Sequence, residues 1–256
     1  MRTQLGLFLA ASILMACSNQ QKTQQEEPVK SQAQQVIDEA ISFHGMEGLS
    51  NADFSLKFRD MDYTYSLHNG MYEYTRTQTD SLGREVIDRL TNEGLIRYIE
   101  GDTVSVEDEK RAAYARSVNS VIYFFRLPFG LNDPAVVKKY QGTTTIKGKD
   151  YHEVRITFQQ SGGGEDFDDV FLYWFDTDDY SMDYMAYLYH TDGGGMRFRE
   201  AINPRRNEGI LIQDYINFKP VDEKMDINNI SELYEAGELE ELSRIINENV
   251  SISTGH

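Results

Sequence analysis

The chain carries 42 Asp and Glu residues against 25 Lys and Arg, and its acids are bunched where chemistry could use them. Glu165, Asp166, Asp168 and Asp169 follow Gly162-Gly163-Gly164, and Asp176, Asp178, Asp179 and Asp183 come next. A calcium loop of the helix–loop–helix kind needs Gly at its sixth position and Glu at its twelfth. Counted from Asp176, those positions hold Ser181 and Tyr187, so the motif is absent and the clusters read as solvated turns. His44, His68, His152, His190 and His256 show no i, i+4 pair of the kind a zinc-binding helix presents. Neither Gly162-Gly163-Gly164 nor Gly193-Gly194-Gly195 is followed by the Lys-Ser/Thr of a phosphate loop, and no Gly-x-Ser-x-Gly elbow occurs. Carboxylate pairs suited to glycoside hydrolysis abound in so acidic a chain, and nothing singles one out. No metal, cofactor or catalytic residue is therefore expected.

Binding residues are easier to nominate than catalytic ones. Arg59, Arg197 and Arg199 fall in strand-like runs, while Arg205 and Arg206 follow close behind. Each is expected to pair with one of the many acids; gathered on one face, they would instead hold a carboxylate or phosphate headgroup. Tyr123-Phe124-Phe125, Phe129 in the loop Leu127-Pro128-Phe129-Gly130, and the run Tyr184 to Tyr189 with Tyr187 at its middle could wall an apolar pocket. Core packing would use the same residues. The candidate ligand-binding set is thus Arg59, Tyr123, Phe124, Phe125, Phe129, Tyr184, Tyr187, Arg197 and Arg199.

Positioning them falls to a chain that is mostly β. Val36, Ile37, Ala40 and Ile41 share one helical face from about Gln32, ended by His44-Gly45. The period then drops to two through Ala52–Arg59, Tyr63–His68, Met71–Thr79, Arg84–Thr91 and Gly94–Ile99. Separators of three or four residues favour an antiparallel meander, because parallel strands need long crossovers. Lys110 to Phe125 reads as a helix, and Asn132-Asp133-Pro134 as the start of a short one over Ala135–Tyr140. Thr143–Ile146, Asp150–Gln159, Val170–Asp176, Met182–His190, Met196–Asn203 and Ile210–Phe218 resume the strands. Beyond 220, Leu239, Leu242, Ile245 and Ile246 form a stripe of helical spacing. The expected fold is mainly β with helices: one antiparallel sheet of about eleven strands curled into an incomplete barrel, with a helical plug or lid over Lys110–Tyr140.

The first residues carry an address. After Arg2, Leu5 to Leu14 form an apolar run too short to span a bilayer but suited to an export signal. Leu14-Met15-Ala16-Cys17 resembles the lipobox of bacterial lipoproteins, with Met15 bulkier than usual at its position. That resemblance implies cleavage before Cys17, a diacylglyceryl group on its thiol, and an acyl chain such as palmitate on the new amine. Two or three chains hold a protein on a membrane stably, where one does not. Cys17 is the only cysteine, so no disulfide can form within the chain. Ser18 to about Ser31 is Gln-rich and lacks aromatics, as a flexible tether would. The segments expected are a signal over 1–16, a tether with lipidated Cys17 over 17–32, a β domain over 33–220 and a helical C-terminal segment over 221–256. A formal charge of −17 repels phosphate backbones, which argues against a nucleic-acid partner. Nothing in the sequence sets the oligomeric state.

Several short pieces together resemble a lipoprotein family of unknown function from the Bacteroidetes group. They are Phe43-His44-Gly45, Phe58-Arg59, Ser117-Val118-Asn119-Ser120-Val121 with Leu127-Pro128-Phe129, Leu131-Asn132-Asp133-Pro134-Ala135-Val136, Asp183-Tyr184-Met185-Ala186-Tyr187, Arg197-Phe198-Arg199 and Gln213-Asp214-Tyr215. The resemblance implies a fold similar to the LolA- and LolB-like lipoprotein carriers, whose incomplete barrel and helical lid enclose an acyl-binding cavity. It implies an envelope lipoprotein, anchored at the outer membrane, that binds a lipid-like or other apolar ligand. A glycan-acting envelope hydrolase and a structural envelope component are the alternatives.

Overall fold

The computed structural model describes residues 30–161, 168–222 and 225–254. The signal, Cys17, most of the tether, Gly162-Gly163-Gly164, Glu165, Asp166 and His256 lie outside the described residues. The chain divides at Lys30/Ser31, and residues 31–256 form one compact unit.

That unit holds two antiparallel sheets of seven strands each, rather than one of eleven. Helix α1 (Gln32–His44) opens it, capped by the Ser31 side chain at one end and by Gly45 at the other. Strands β1 (Ala52–Phe58), β2 (Met61–His68), β3 (Met71–Thr79), β4 (Glu85–Thr91), β5 (Gly94–Ile99) and β6 (Asp102–Val104) then pair in sequence as a meander. Helix α2 (Asp108–Phe125) follows, and a second meander runs through β7 (Val136–Ile146), β8 (Lys149–Phe158), β9 (Val170–Asp176), β10 (Met182–Tyr189), β11 (Gly195–Asn207) and β12 (Ile210–Pro220). Each meander gains its seventh strand from the C-terminus. β13 (Leu239–Ile245) pairs with β12, and β14 (Asn247–Thr254) pairs with β1. Only Ile246 separates β13 from β14, so one run of chain leaves the second sheet and joins the first, the corner by which packed sheets are joined.

Two helical expectations give way here. Ala135–Tyr140 is mostly the start of β7, where Val136 sits opposite Phe158; its β-branched pair Val136-Val137 suits a strand, and the turn before it is a 3-10 turn at Phe129–Asn132. The stripe Leu239, Leu242 and Ile245 is β13, and the helix of the C-terminal segment is the short α3 (Ile230–Glu235). The register steps from Asn217–Ser243 to Phe218–Glu241, leaving Leu242 as an unpaired bulge residue. A bulge shifts the alternation by one. It puts Ile245 in the core between the sheets and Leu239 against the opposite face, which mimics helical spacing.

The middle of the second sheet is buried on both faces, which is why 170–175 reads as an unbroken apolar run. Phe171, Tyr173, Phe175 and Met185 point into the main core, while Leu172, Trp174, Tyr184 and Phe198 pack under Ile227, Ile230 and Tyr234. Helix α2 lies between the two sheets, largely within the Lys110–Tyr140 stretch that was expected to form a plug or lid and that ends in strand β7. Its Val118 and Ile122 are fully buried, and Phe125 meets Phe54 of β1 at a centroid distance of 4.8 Å. Polar groups fasten it as well. Asp88 of β4, 0 % exposed, receives two hydrogen bonds from Arg76 of β3 (3.1 and 2.6 Å) and two from Arg97 of β5 (2.7 and 2.8 Å). Arg76 also donates to Ser117 Oγ at 2.7 Å, and Arg97 lies 3.5 Å from the ring centroid of Tyr114, both on α2.

Candidate functional site

The face of α2 turned away from the first sheet leaves a cleft of about 540 Å³ against β8–β11. Ala113, Arg116, Ser120 and Tyr123 recur on this face at spacings of three and four, the same-side positions of a helix. Opposite them stand Phe158 of β8, Phe171 of β9, Tyr187 and Tyr189 of β10, and Arg197 of β11. Alternation along each strand selects them. On β10 Tyr187 and Tyr189 face the cleft while Tyr184, Ala186 and Leu188 face away.

The aromatic wall is continuous. Phe124 lies 5.1 Å from Tyr187 and 6.5 Å from Phe171, and Phe171 stacks on Tyr187 at 5.6 Å. At its floor the hydroxyls of Tyr123 and Tyr173 are 3.2 Å apart. Burial pushes the Tyr123 hydroxyl up to about 12, so it is a neutral hydrogen-bonding group. The rim is polar. Arg197 donates to Tyr189 Oη at 2.8 Å and to its neighbour's carbonyl at 2.7 Å. Gly195 makes room for this pair: at φ 151° it is in the glycine-favouring region, and a Cβ would stand 2.8 Å from Tyr189 Oη. Two carboxylates also line the cleft. Asp169 accepts from the backbone N–H of His190 at 3.2 Å, and burial raises the pKa of Asp133 above the usual carboxylate value against the pull of Arg126 and Lys138.

Of the residues nominated from sequence, Tyr123, Phe124, Tyr187 and Arg197 meet in this cleft. Phe124 also lines a smaller pocket of about 200 Å³, shared with Arg59, Phe125 and Arg199. Phe129 lines neither, lying 5.7 Å from the Arg126 guanidinium. Tyr184 belongs to the opposite face, stacked 5.6 Å from Phe198. Among the described residues Arg59, Arg197, Arg199 and Arg206 have no ion-pair partner, whereas Arg205 pairs with Asp214 at 3.1 Å. The expectation that each arginine meets an acid thus fails at four positions. Phe158, Phe171, Arg126 and Asp133 were not nominated, although the period-two phase of β8 and β9 marks the two Phe side chains as sharing a face with Val154, Ile156 and Tyr173.

The acidic run after β9 builds a turn. Asp176 is buried and accepts backbone N–H groups of Asp178 and Asp179, closing the β9–β10 turn, and it pairs with Lys149. Among the described residues no cluster of three or more His, Cys, Asp or Glu side chains is placed to hold a metal ion. None of the described helices is long and apolar enough to cross a membrane.

A family model described as a family of unknown function, DUF6503, matches residues 5–247. The chain belongs to this family. No curated protein matches the sequence. Among solved structures, the chain is similar to a DUF1329 family protein from Desulfovibrio piger (13% identity, TM-score 0.46, 89% of this chain and 95% of that one). It is also similar to a LolA superfamily protein from Nitrosomonas europaea (10%, TM-score 0.45, 88% and 92%) and to a putative outer membrane lipoprotein-sorting protein domain from Vibrio parahaemolyticus (7%, TM-score 0.45, 88% and 94%). The LolA resemblance drawn from the sequence thus has a counterpart among these folds. At that degree of likeness none of them assigns a ligand to a DUF6503 member.

Proposed function

We propose that this DUF6503 member is an envelope lipoprotein, tethered through acylated Cys17, that holds the apolar chain of a lipid-like ligand in the cleft between α2 and β8–β11. The observation that carries this reading is the open aromatic wall of Phe124, Phe158, Phe171 and Tyr187 in a cleft of about 540 Å³. Such a space is concave and pairs an aromatic wall with polar groups that can orient a ligand, as small-molecule sites do. Arg116, Arg126 and Arg197 on its lining would keep the mouth wet while the chain lies inside. The apolar run 5–14, the Ala16-Cys17 junction and the Gln-rich stretch behind it support the anchor.

Native mass spectrometry of the purified protein, before and after organic extraction, tests the ligand. A bound lipid that is lost on extraction is the expected result. Phe171→Ala should weaken uptake of added dodecan-1-ol by roughly tenfold, since an aromatic contact of this size contributes 1–3 kcal/mol. An apo mass with no uptake of added fatty acid or alcohol would sink the proposal.

Asp133 and Asp169 line the same cleft, and burial raises the pKa of Asp133 above the usual carboxylate value. A glycan hydrolase uses two carboxyls, the acid among them raised in this way. Turnover of an aryl glycoside that disappears in Asp133→Asn would favour this second reading, and no turnover by the wild type would end it.

A further inference from the structure

We propose that the smaller pocket is a binding site for a phosphate group, free or at the head of a lipid, built on the buried guanidinium of Arg199. This pocket, about 200 Å³, lies between α2, the end of β1 and the inner faces of β11–β13, and shares Ser120 and Phe124 with the cleft.

Arg199 is 7 % exposed, yet no carboxylate lies within ion-pair distance of it among the described residues. Its one hydrogen bond goes to a neutral oxygen, Tyr187 Oη, at 2.9 Å, and its Nε has no partner. The Phe124 ring, 3.9 Å from Cζ, and the Tyr187 ring at 5.2 Å offset part of the desolvation. They supply no counter-charge, and a buried cation without one is costly to the fold. Directly across the ladder sits Asn217, whose Nδ2 donates to Ser243 Oγ at 3.3 Å while its buried Oδ1 receives nothing. One pocket therefore presents an unmet donor beside a full positive charge, and an unmet acceptor on the facing residue.

Hydrogen phosphate and phosphate monoesters complement that pair. Their charged oxygens would accept from Arg199 Nε, and a protonated oxygen would donate to Asn217 Oδ1. The Ser120 and Ser243 hydroxyls line the same space. Arg59 adds a second cation at the mouth, exposed, with no ion pair among the described residues and its backbone at φ 57°. That backbone belongs to the two-residue turn Arg59-Asp60, which joins β1 to β2. A carboxylate would satisfy Arg199 but leave Asn217 Oδ1 unmet, so phosphate is the better fit.

The test is calorimetric titration of the purified protein at pH 6 with inorganic phosphate, dodecyl phosphate and acetate. Wild type should bind at least one phosphate probe, and Arg199→Met should weaken that binding by tenfold or more, with Arg199→Lys recovering part of the loss. Binding of inorganic phosphate itself identifies a free-anion site; binding of dodecyl phosphate alone identifies a lipid headgroup. Equal binding of acetate, unchanged affinity in Arg199→Met, or no binding of either phosphate probe would overturn the proposal. Should Arg199→Met lose its near-UV signal, exposed Arg59→Gln decides instead: a threefold or larger loss supports the site, and no change overturns it. The site is distinguishable from the acyl reading of the cleft: Phe171 lines the cleft and not the smaller pocket, so Phe171→Ala is expected to alter dodecan-1-ol uptake and to leave inorganic phosphate binding unchanged.

Discussion

His44 ends α1 with its ring 1 % exposed and its Nε2 accepting the backbone N–H of Met182 at 3.1 Å. That bond fixes the proton on Nδ1, and burial, helped by Arg206, lowers the pKa to about 4. In the unfolded chain the ring takes its proton near its ordinary value, so the unfolded state binds protons more readily as the pH falls. Stability from this group is therefore complete above about pH 6.5 and is lost progressively down to about pH 4, amounting to about 3 kcal/mol. Urea titrations of wild type and His44→Gln across this window should converge at acid pH; parallel curves would contradict the assignment. Asp88 titrates under opposing influences: burial alone would raise its pKa, but hydrogen bonds and charge from Arg97 and Arg76 outweigh burial and hold it low. Asp88→Asn strands two guanidinium groups beneath α2 and is expected to cost roughly 3–5 kcal/mol. A chemical-denaturation midpoint equal to wild type would show that the cluster contributes little. Neither feature was legible from residue types, since a charged cluster on adjacent strands depends on register, which the sequence leaves open.

At the scale of elements, legibility followed phase. The period-two runs of the first meander located β1 to β5 closely, because each has one face in the core and short polar turns between. α1 was readable for the same reason, with the apolar face Val36, Ile37, Ala40 and Ile41 fully or nearly buried. β13 was misread because the Leu242 bulge breaks the alternation, and Tyr184 was placed in the site because β10 is covered on both faces. Docking of α1 depends on one close approach that composition does not reveal. Gly45, at φ 70°, comes so near the β11–β12 turn that a Cβ would stand 2.6 Å from the Gly209 carbonyl oxygen. Arg206 binds the same corner, donating to the Phe43 carbonyl at 2.8 Å. Gly45→Ala combines left-handed strain with a backbone clash, and a loss of 2 kcal/mol or more is expected, about twice what strain alone would give. Thermal unfolding monitored by circular dichroism measures it, and a shift within error would refute the close approach.

For the molecule as a whole, composition and alternation conveyed an antiparallel, mostly β unit with a helix inserted mid-chain, but not its division in two. Strand counts cannot show where a sheet ends: the chain changes sheet across α2 and again at a single residue, Ile246, inside one continuous apolar-polar stretch. That corner also ties distant parts of the chain together: Ala52 pairs with Thr254 and Phe58 with Asn247. Deleting 247–254 should leave β1 with an unpaired edge and give a species that self-associates, detectable by light scattering. A monodisperse, stable truncation would show that β14 is dispensable. The same pairing sets an order of events. Meander hairpins close over a few residues and can form as the chain emerges, whereas the β1–β14 ladder waits for the last residues and must close a loop of nearly the whole unit. The β1–β14 ladder is thus the slowest pairing of the first sheet to close, and until it closes β1 keeps one edge unpaired.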